Sequence, residues 1–177
     1  YGGSCFPKDT KGLVSTSEKY KVDLSIVKSV IKSNDKRKIL HTKRISEILG
    51  KNIKNKKIVF LGVTFKQNTD DMRDSVSLLM IPYLHKKGAK ISYYDPTGTK
   101  KEFSKLKNCN FYSNIKQACI NADLIILHTE WDEFKSLDFN KVVKNKKFIL
   151  YDLRNLYSLE EMKRKKIKYL SIGRSSF

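Results

Sequence analysis

Two hydrophobic rhythms divide the chain near residue 55. Over residues 10–50 apolar side chains recur at three- and four-residue steps: Leu24, Val27, Val30 and Ile31, then Leu40, Ile45, Ile48 and Leu49. That spacing predicts amphipathic helix through "TKGLVSTSEKY" and "DLSIVKSVIKSNDKRKILHTKRISEILG", with Gly50 placed to end it. "KNIKNKK" reads as a short polar connector. From residue 57 the pattern changes to short apolar runs, "KIVFLG" (57–62), "KISYYD" (90–95), "LIILHT" (124–129) and "FILYD" (148–152). Their length and β-branched or aromatic content predict buried parallel strands. The intervening "SVSLLMIPYLHKKG" (75–88) and "NIKQACINA" (114–122) are amphipathic, with Gly88 as a helix stop. Alternating strand and helix predicts an α/β fold: a Rossmann-like parallel sheet with flanking helices over 55–177, preceded by a helical segment over 1–54.

In such sheets the binding crevice lies beyond the carboxyl ends of the strands. Each predicted strand runs there into polar or permissive residues: Gly62 to Lys66, Asp95-Pro96, His128-Thr129-Glu130, and Asp152 to Asn155. A nucleotide-sized ligand fits across them. No G-x-G-x-x-G follows any strand and Gly62 stands alone, so this sheet lacks the pyrophosphate loop of a dinucleotide site. A nicotinamide cofactor needs another domain.

Composition narrows the class. Hydrophobic residues make up 40% of the 177 and are spread along the length, too many for disorder, yet no run approaches the roughly 18 residues of a membrane span. No leader segment is visible, and the three cysteines, Cys5, Cys109 and Cys119, have no C-x-x-C spacing. A reducing cytoplasm is the expected setting, with no disulfide framework and no metal site. The net charge of +19 is carried by lysines in almost every segment, and only six of the 37 basic residues are Arg. That distribution decorates solvated faces. It predicts weak, salt-sensitive attraction to polyanions and no specific nucleic-acid partner.

Candidate chemistry opens the chain. In "GGSCFPKD" (2–9), Gly2 and Gly3 let backbone approach a ligand without a Cβ in the way. Cys5 acts chemically only as thiolate, which Lys8 and the amides of a helix starting near Asp9-Thr10 favour. Two plainer readings stand beside this one: a lone Cys packs as a small hydrophobe, and Asp9 serves as a helix N-cap. In "NTDDMRDS" (68–75), Asp74 or Ser75 is a candidate cap for the next helix. His41, His85 and His128 show no metal-ligand spacing.

"GGSCFPKD" resembles the active-site motif of the UDP-glucose 6-dehydrogenases, in the UDP-glucose/GDP-mannose dehydrogenase family. The likeness continues in order through "GVTFKQNTDDMRDS" (62–75), "YDP" (94–96), "ADLIILHTEWDEF" (122–134), "DLRNLY" (152–157) and "SIGR" (171–174). Agreement spans essentially the whole chain. The resemblance implies NAD-dependent oxidation of UDP-glucose to UDP-glucuronate in two steps, through a cysteine thiohemiacetal and thioester. It makes Cys5 the nucleophile and Asp9 a helper in thioester hydrolysis. It sets Gly2, Lys66 and Arg154 against the nucleotide sugar, and Lys8 and Arg73 against NAD.

The resemblance also implies that the chain is the C-terminal portion of a longer enzyme. The N-terminal NAD-binding part would be absent, residues 10–50 would belong to the segment that forms a homodimer, and the chain alone would be inactive. Three alternatives remain at this point. One is a relative that oxidises another nucleotide sugar; another is a non-catalytic module binding a nucleotide sugar or a polyanion; the third is a purely structural interaction domain docking through the exposed faces of residues 10–50.

Overall fold

A computed structural model describes residues 1–50 and 52–174. Helices α1 (Phe6–Lys19) and α2 (Ser25–Ile48) come first. They are joined by a turn in which Lys21 adopts a left-handed φ of 56°. The helical rhythm is thus two helices, and the first begins earlier than expected: Phe6, not Asp9, opens it, with Pro7 in its first positions and Cys5 as N-cap residue. Pro suits that place because the N–H it lacks has no intrahelical acceptor there. Asp9 is therefore no N-cap; its N–H already donates to the Cys5 carbonyl at 2.8 Å. Gly50 ends α2 as expected, at φ 87° just beyond the last turn.

Six parallel strands follow: β1 (Lys57–Leu61), β2 (Lys90–Tyr94), β3 (Cys109–Phe111), β4 (Leu124–Leu127), β5 (Ile149–Asp152) and β6 (Lys168–Ser171). Between them run α3 (Ser77–Lys86), α4 (Ile115–Cys119), α5 (Phe139–Val142) and α6 (Leu159–Arg164). The sheet order is β3-β2-β1-β4-β5-β6, the doubly wound arrangement. Strands β3 and β6 lie outside the four apolar runs of the sequence.

Alternation along each central strand makes two cores. Ile58, Phe60, Ile126 and Tyr151 face Met80, Ile81 and Leu84 of α3 and Ile45 of α2. Val59, Leu61, Ile125, Leu127 and Leu150 face Cys119 of α4, Phe139 of α5 and Met162 of α6. All of β1 beyond Lys57 and all of β4 are buried, which is why those runs are apolar on both sides of the pleat. Truncating one fully buried aromatic, such as Phe60, costs about 3–5 kcal/mol. Through Ile45 and the buried Thr42, α2 packs on the first core. Elsewhere α1 and α2 leave Leu13, Ile26, Val30 and Leu40 exposed, as is Tyr20 just past α1.

Candidate functional site

The strand order reverses direction of winding between β1 and β4, so a crevice opens beyond Leu61 and Leu127. The loop after β1 is fixed there from three sides. The buried Asp95 carboxylate, at the end of β2, accepts the N–H groups of Val63 at 2.8 Å and Thr64 at 3.3 Å. Thr129, at the end of β4, donates its hydroxyl to the Thr64 carbonyl at 2.9 Å. Ser75 and Ser77 donate theirs to the Val63 carbonyl at 2.7 and 2.6 Å. Gly62 sits at φ 73°, and a Cβ there would stand 2.5 Å from Thr129 Cβ, so neither backbone nor space admits another residue. Asp152, at the end of β5, is likewise committed to its own loop, accepting from the amides of Arg154 and Leu156 and from the Tyr169 hydroxyl.

This braced loop presents Phe65 to a cavity of about 450 Å³, a volume suited to a small molecule. Phe65, Met80, Leu153 and Ile172 supply apolar wall; Arg37, Lys38 and Arg154 bring positive charge. Arg154 is held firmly. Its Nε donates to the His128 carbonyl at 2.7 Å and lies 2.9 Å from Glu130 Oε2, and a terminal nitrogen donates to the Phe65 carbonyl at 3.2 Å. Lys38 of α2 donates to both carboxylate oxygens of Asp74 at 2.9 Å. Asp74 is therefore not the cap of α3; it adopts φ 57° and ties the loop to α2. His128 is almost wholly buried in the wall, and burial, then the Arg154 charge, pushes its pKa down to about 3. His41 meets the Tyr151 hydroxyl at 3.1 Å, and burial, then Arg37 and Arg44, lowers its pKa too.

The chain's first residues close one side of the cavity. Gly2 and Gly3 lie against the Phe65 ring, and Asn34 of α2 donates to the Tyr1 carbonyl at 3.0 Å. The path then turns at Cys5 into α1, and Phe6 lines the cavity. Cys5 is exposed, with its sulfur 3.7 Å from the Ser4 hydroxyl. Asp9 stands one helical turn on and shares its face; Lys8 and Asp9 approach to 3.5 Å in a solvated pair. Arg73 grips Asp71 with two hydrogen bonds of 2.9 and 3.0 Å. The Asp71 hydrogen bonds and charge raise the Arg73 pKa.

Of the predicted site residues, Gly2 and Arg154 thus line the cavity. Cys5, Lys8, Asp9, Lys66 and Arg73 are exposed and do not line it: Cys5, Lys8 and Asp9 flank Phe6 and Pro7 at the start of α1, and Lys66 follows Phe65 on its loop. Arg37, Lys38 and His41 are site residues that sequence reasoning misses; their α2 positions read as a solvated helix face, and only docking of α2 on the first core turns them inward. His128 carries a signal, its place just past a strand. Among the described residues no group of His, Cys, Asp and Glu is arranged to hold a metal ion.

Comparison with known proteins adds three findings. Residues 59–159 match the UDP binding domain of the UDP-glucose/GDP-mannose dehydrogenase family, and residues 1–36 match that family's central domain. The chain is 38% identical over 175 residues to a UDP-glucose 6-dehydrogenase of Rhizobium meliloti, covering 98% of this chain and 40% of that protein. It is 37% identical over 176 residues to the Rickettsia typhi enzyme of the same name, covering 98% and 41%. Among solved structures it superposes on an NDP-N-acetyl-D-galactosaminuronic acid dehydrogenase of Methanosarcina mazei with a TM-score of 0.81 and 26% identity, over 99% of this chain and 38% of that one. The chain thus spans about 40% of the length of the curated relatives it matches.

Proposed function

Since the chain belongs to the UDP-glucose/GDP-mannose dehydrogenase family, we propose that it binds UDP-glucose in the cavity beside Phe65 and supplies the thiol for its oxidation to UDP-glucuronate. The carrying observation is the packing of Gly2 and Gly3 on Phe65, which puts the Cys5 turn beside the crevice where a nucleotide sugar would lie. Arg37, Lys38 and Arg154 would face the diphosphate, Gly2 would leave room for the sugar, and Lys66 would reach in from the loop. Relatives at 35–38% identity carry the UDP-glucose name, which favours this sugar over the N-acetylated one in the name of the 26% relative.

The chemistry asked of the chain is that of a thiol. Cys5 Sγ adds to the C6 aldehyde carbon and the carbonyl oxygen takes up a proton; the tetrahedral adduct carries a hydride that the planar aldehyde holds back. After oxidation the C6 thioester is cleaved by water: the C–S bond breaks, a C–O bond forms, and the proton returns to sulfur. Asp9, on the same helix face as Cys5, would orient that water.

NAD is the oxidant this reading implies, and it would accept the hydride. The sheet itself does not fit the role of holding it. The Val63 and Thr64 amides that a pyrophosphate would need are already taken by Asp95, and Gly62 has no second glycine beside it. Lys8 and Arg73, exposed next to Cys5, are the proposed contacts to NAD held elsewhere in a longer protein. On that account the chain alone turns over no substrate. It would reside in the cytoplasm, and the exposed apolar side chains of α1 and α2 would meet a second copy.

Calorimetric titration of the chain with UDP-glucose tests the reading. Saturable binding that survives Cys5→Ser and weakens at least tenfold in Arg154→Ala supports it. Absence of binding sinks it.

A further inference from the structure

The tautomer of one ring in the cavity wall follows from the protons available to its neighbours. Thr129 Oγ1 has a single hydrogen, and a carbonyl only accepts, so the 2.9 Å bond to the Thr64 carbonyl uses that hydrogen. The 3.0 Å contact between His128 Nδ1 and Thr129 Oγ1 must then be donated by the imidazole. His128 carries its proton on Nδ1, and its Nε2 is a bare acceptor. No described residue bonds Nε2, yet it is not among the sealed polar atoms, and the ring lines the cavity.

Of the cavity's other polar groups, Arg37, Lys38 and Arg154 only donate, while several acceptors are already engaged: the Asp74 carboxylate by Lys38, Asn34 Oδ1 by the Tyr1 amino group at 3.2 Å, and His41 Nδ1 in its 3.1 Å contact with the Tyr151 hydroxyl. A fully ionised phosphate brings only acceptors, so it belongs with the cations and gains nothing from a bare imidazole nitrogen. What Nε2 can take is an N–H or O–H from an uncharged part of the ligand. Burial and the neighbouring Arg154 keep the ring neutral at any physiological pH.

We propose that His128 Nε2 is a specificity-determining acceptor, taking a hydrogen bond from the nucleoside part of a nucleoside diphosphate bound in this cavity. The inference rests on the ligand reading above and goes further by naming the atom that reads the nucleoside. The donor is the imide N–H of the base or the ribose 2′-hydroxyl. A site built to pair such a donor rejects an analogue lacking it, because the acceptor is then buried without a partner.

The test is calorimetry of the full 177-residue chain with UDP, 3-methyl-UDP, 2′-deoxy-UDP and pyrophosphate. His128→Phe keeps the ring and removes the acceptor; it is expected to weaken UDP about tenfold and leave pyrophosphate unchanged. His128→Gln, whose amide oxygen accepts, recovers most of the loss. The analogue that lacks the relevant donor binds wild type about tenfold more weakly and is indifferent to His128→Phe. Equal UDP affinity in wild type and His128→Phe overturns the inference while leaving the ligand reading intact; failure of wild type to bind UDP overturns both. Nitrogen-15 NMR of the wild-type imidazole supplies a readout that needs no variant. An unprotonated Nε2 is expected, and a protonated one refutes the assignment.

Discussion

A Cβ added to Gly3 would stand 2.5 Å from Cε1 of the Phe65 ring, in a backbone already at φ 84°. The two halves of the chain therefore meet through a contact that only glycine permits. Gly3→Ala meets both obstacles, left-handed strain of roughly 1–2 kcal/mol and a ring that must move. Residues 1–5 are expected to lift from the loop, seen as faster amide exchange there, with the sheet unaffected. Phe65→Ala removes the ring but not the strain, so the double variant should be less affected than the sum of the singles.

Asp95 and Lys100 form a pair buried almost completely, with Nζ 3.7 Å from the carboxylate. Asp95→Ala strands the lysine and frees two loop amides, and should cost about 3–5 kcal/mol in urea unfolding. Lys100→Met in the same chain should restore part of it.

Much of this architecture is legible in the sequence, and the omissions have physical reasons. β1, β2, β4 and β5 announce themselves because their side chains are buried on both faces or nearly so. β3 and β6 are edge strands: "CNF" has no buried residue and "KYLS" alternates, so neither forms an apolar run. The onset of α1 is easily misplaced because Asp9 looks like a cap while Pro7 is in fact the first-turn signal. Asp74 looks like a cap too, and nothing local reveals Lys38, 36 residues away, as its partner. Asp95 and Asp152 stand out as strand-end acids, and the structure uses both to tie loops.

His128 should make stability pH-dependent. Its folded pKa of about 3 lies below the ordinary 6.5, so between these values the unfolded chain binds a proton that the folded chain does not. Stability then rises with pH through that window and is lost as pH falls, by about 1.4 kcal/mol per unit from this residue. His41 is shifted in the same direction. Urea midpoints at pH 5.0 and 6.5 should differ less in His128→Gln than in wild type; equal differences would contradict the assignment.

The three thiols should separate cleanly. Burial raises both Cys109 and Cys119 to about 12, so at pH 8 their thiolate fraction is about one in 10⁴. Cys5 is exposed. Brief iodoacetamide treatment read by mass spectrometry should label Cys5 alone, and Cys119 only after denaturation.

That selectivity offers the most direct test of the central claim, that Cys5 stands beside a nucleotide-sugar cavity. The measurement is the Cys5 alkylation rate as UDP-glucose is titrated into the chain. The account predicts saturable slowing, about tenfold at full occupancy because the bound sugar covers the thiol, with the effect lost in Arg154→Ala. A rate that stays flat at every UDP-glucose concentration would contradict it.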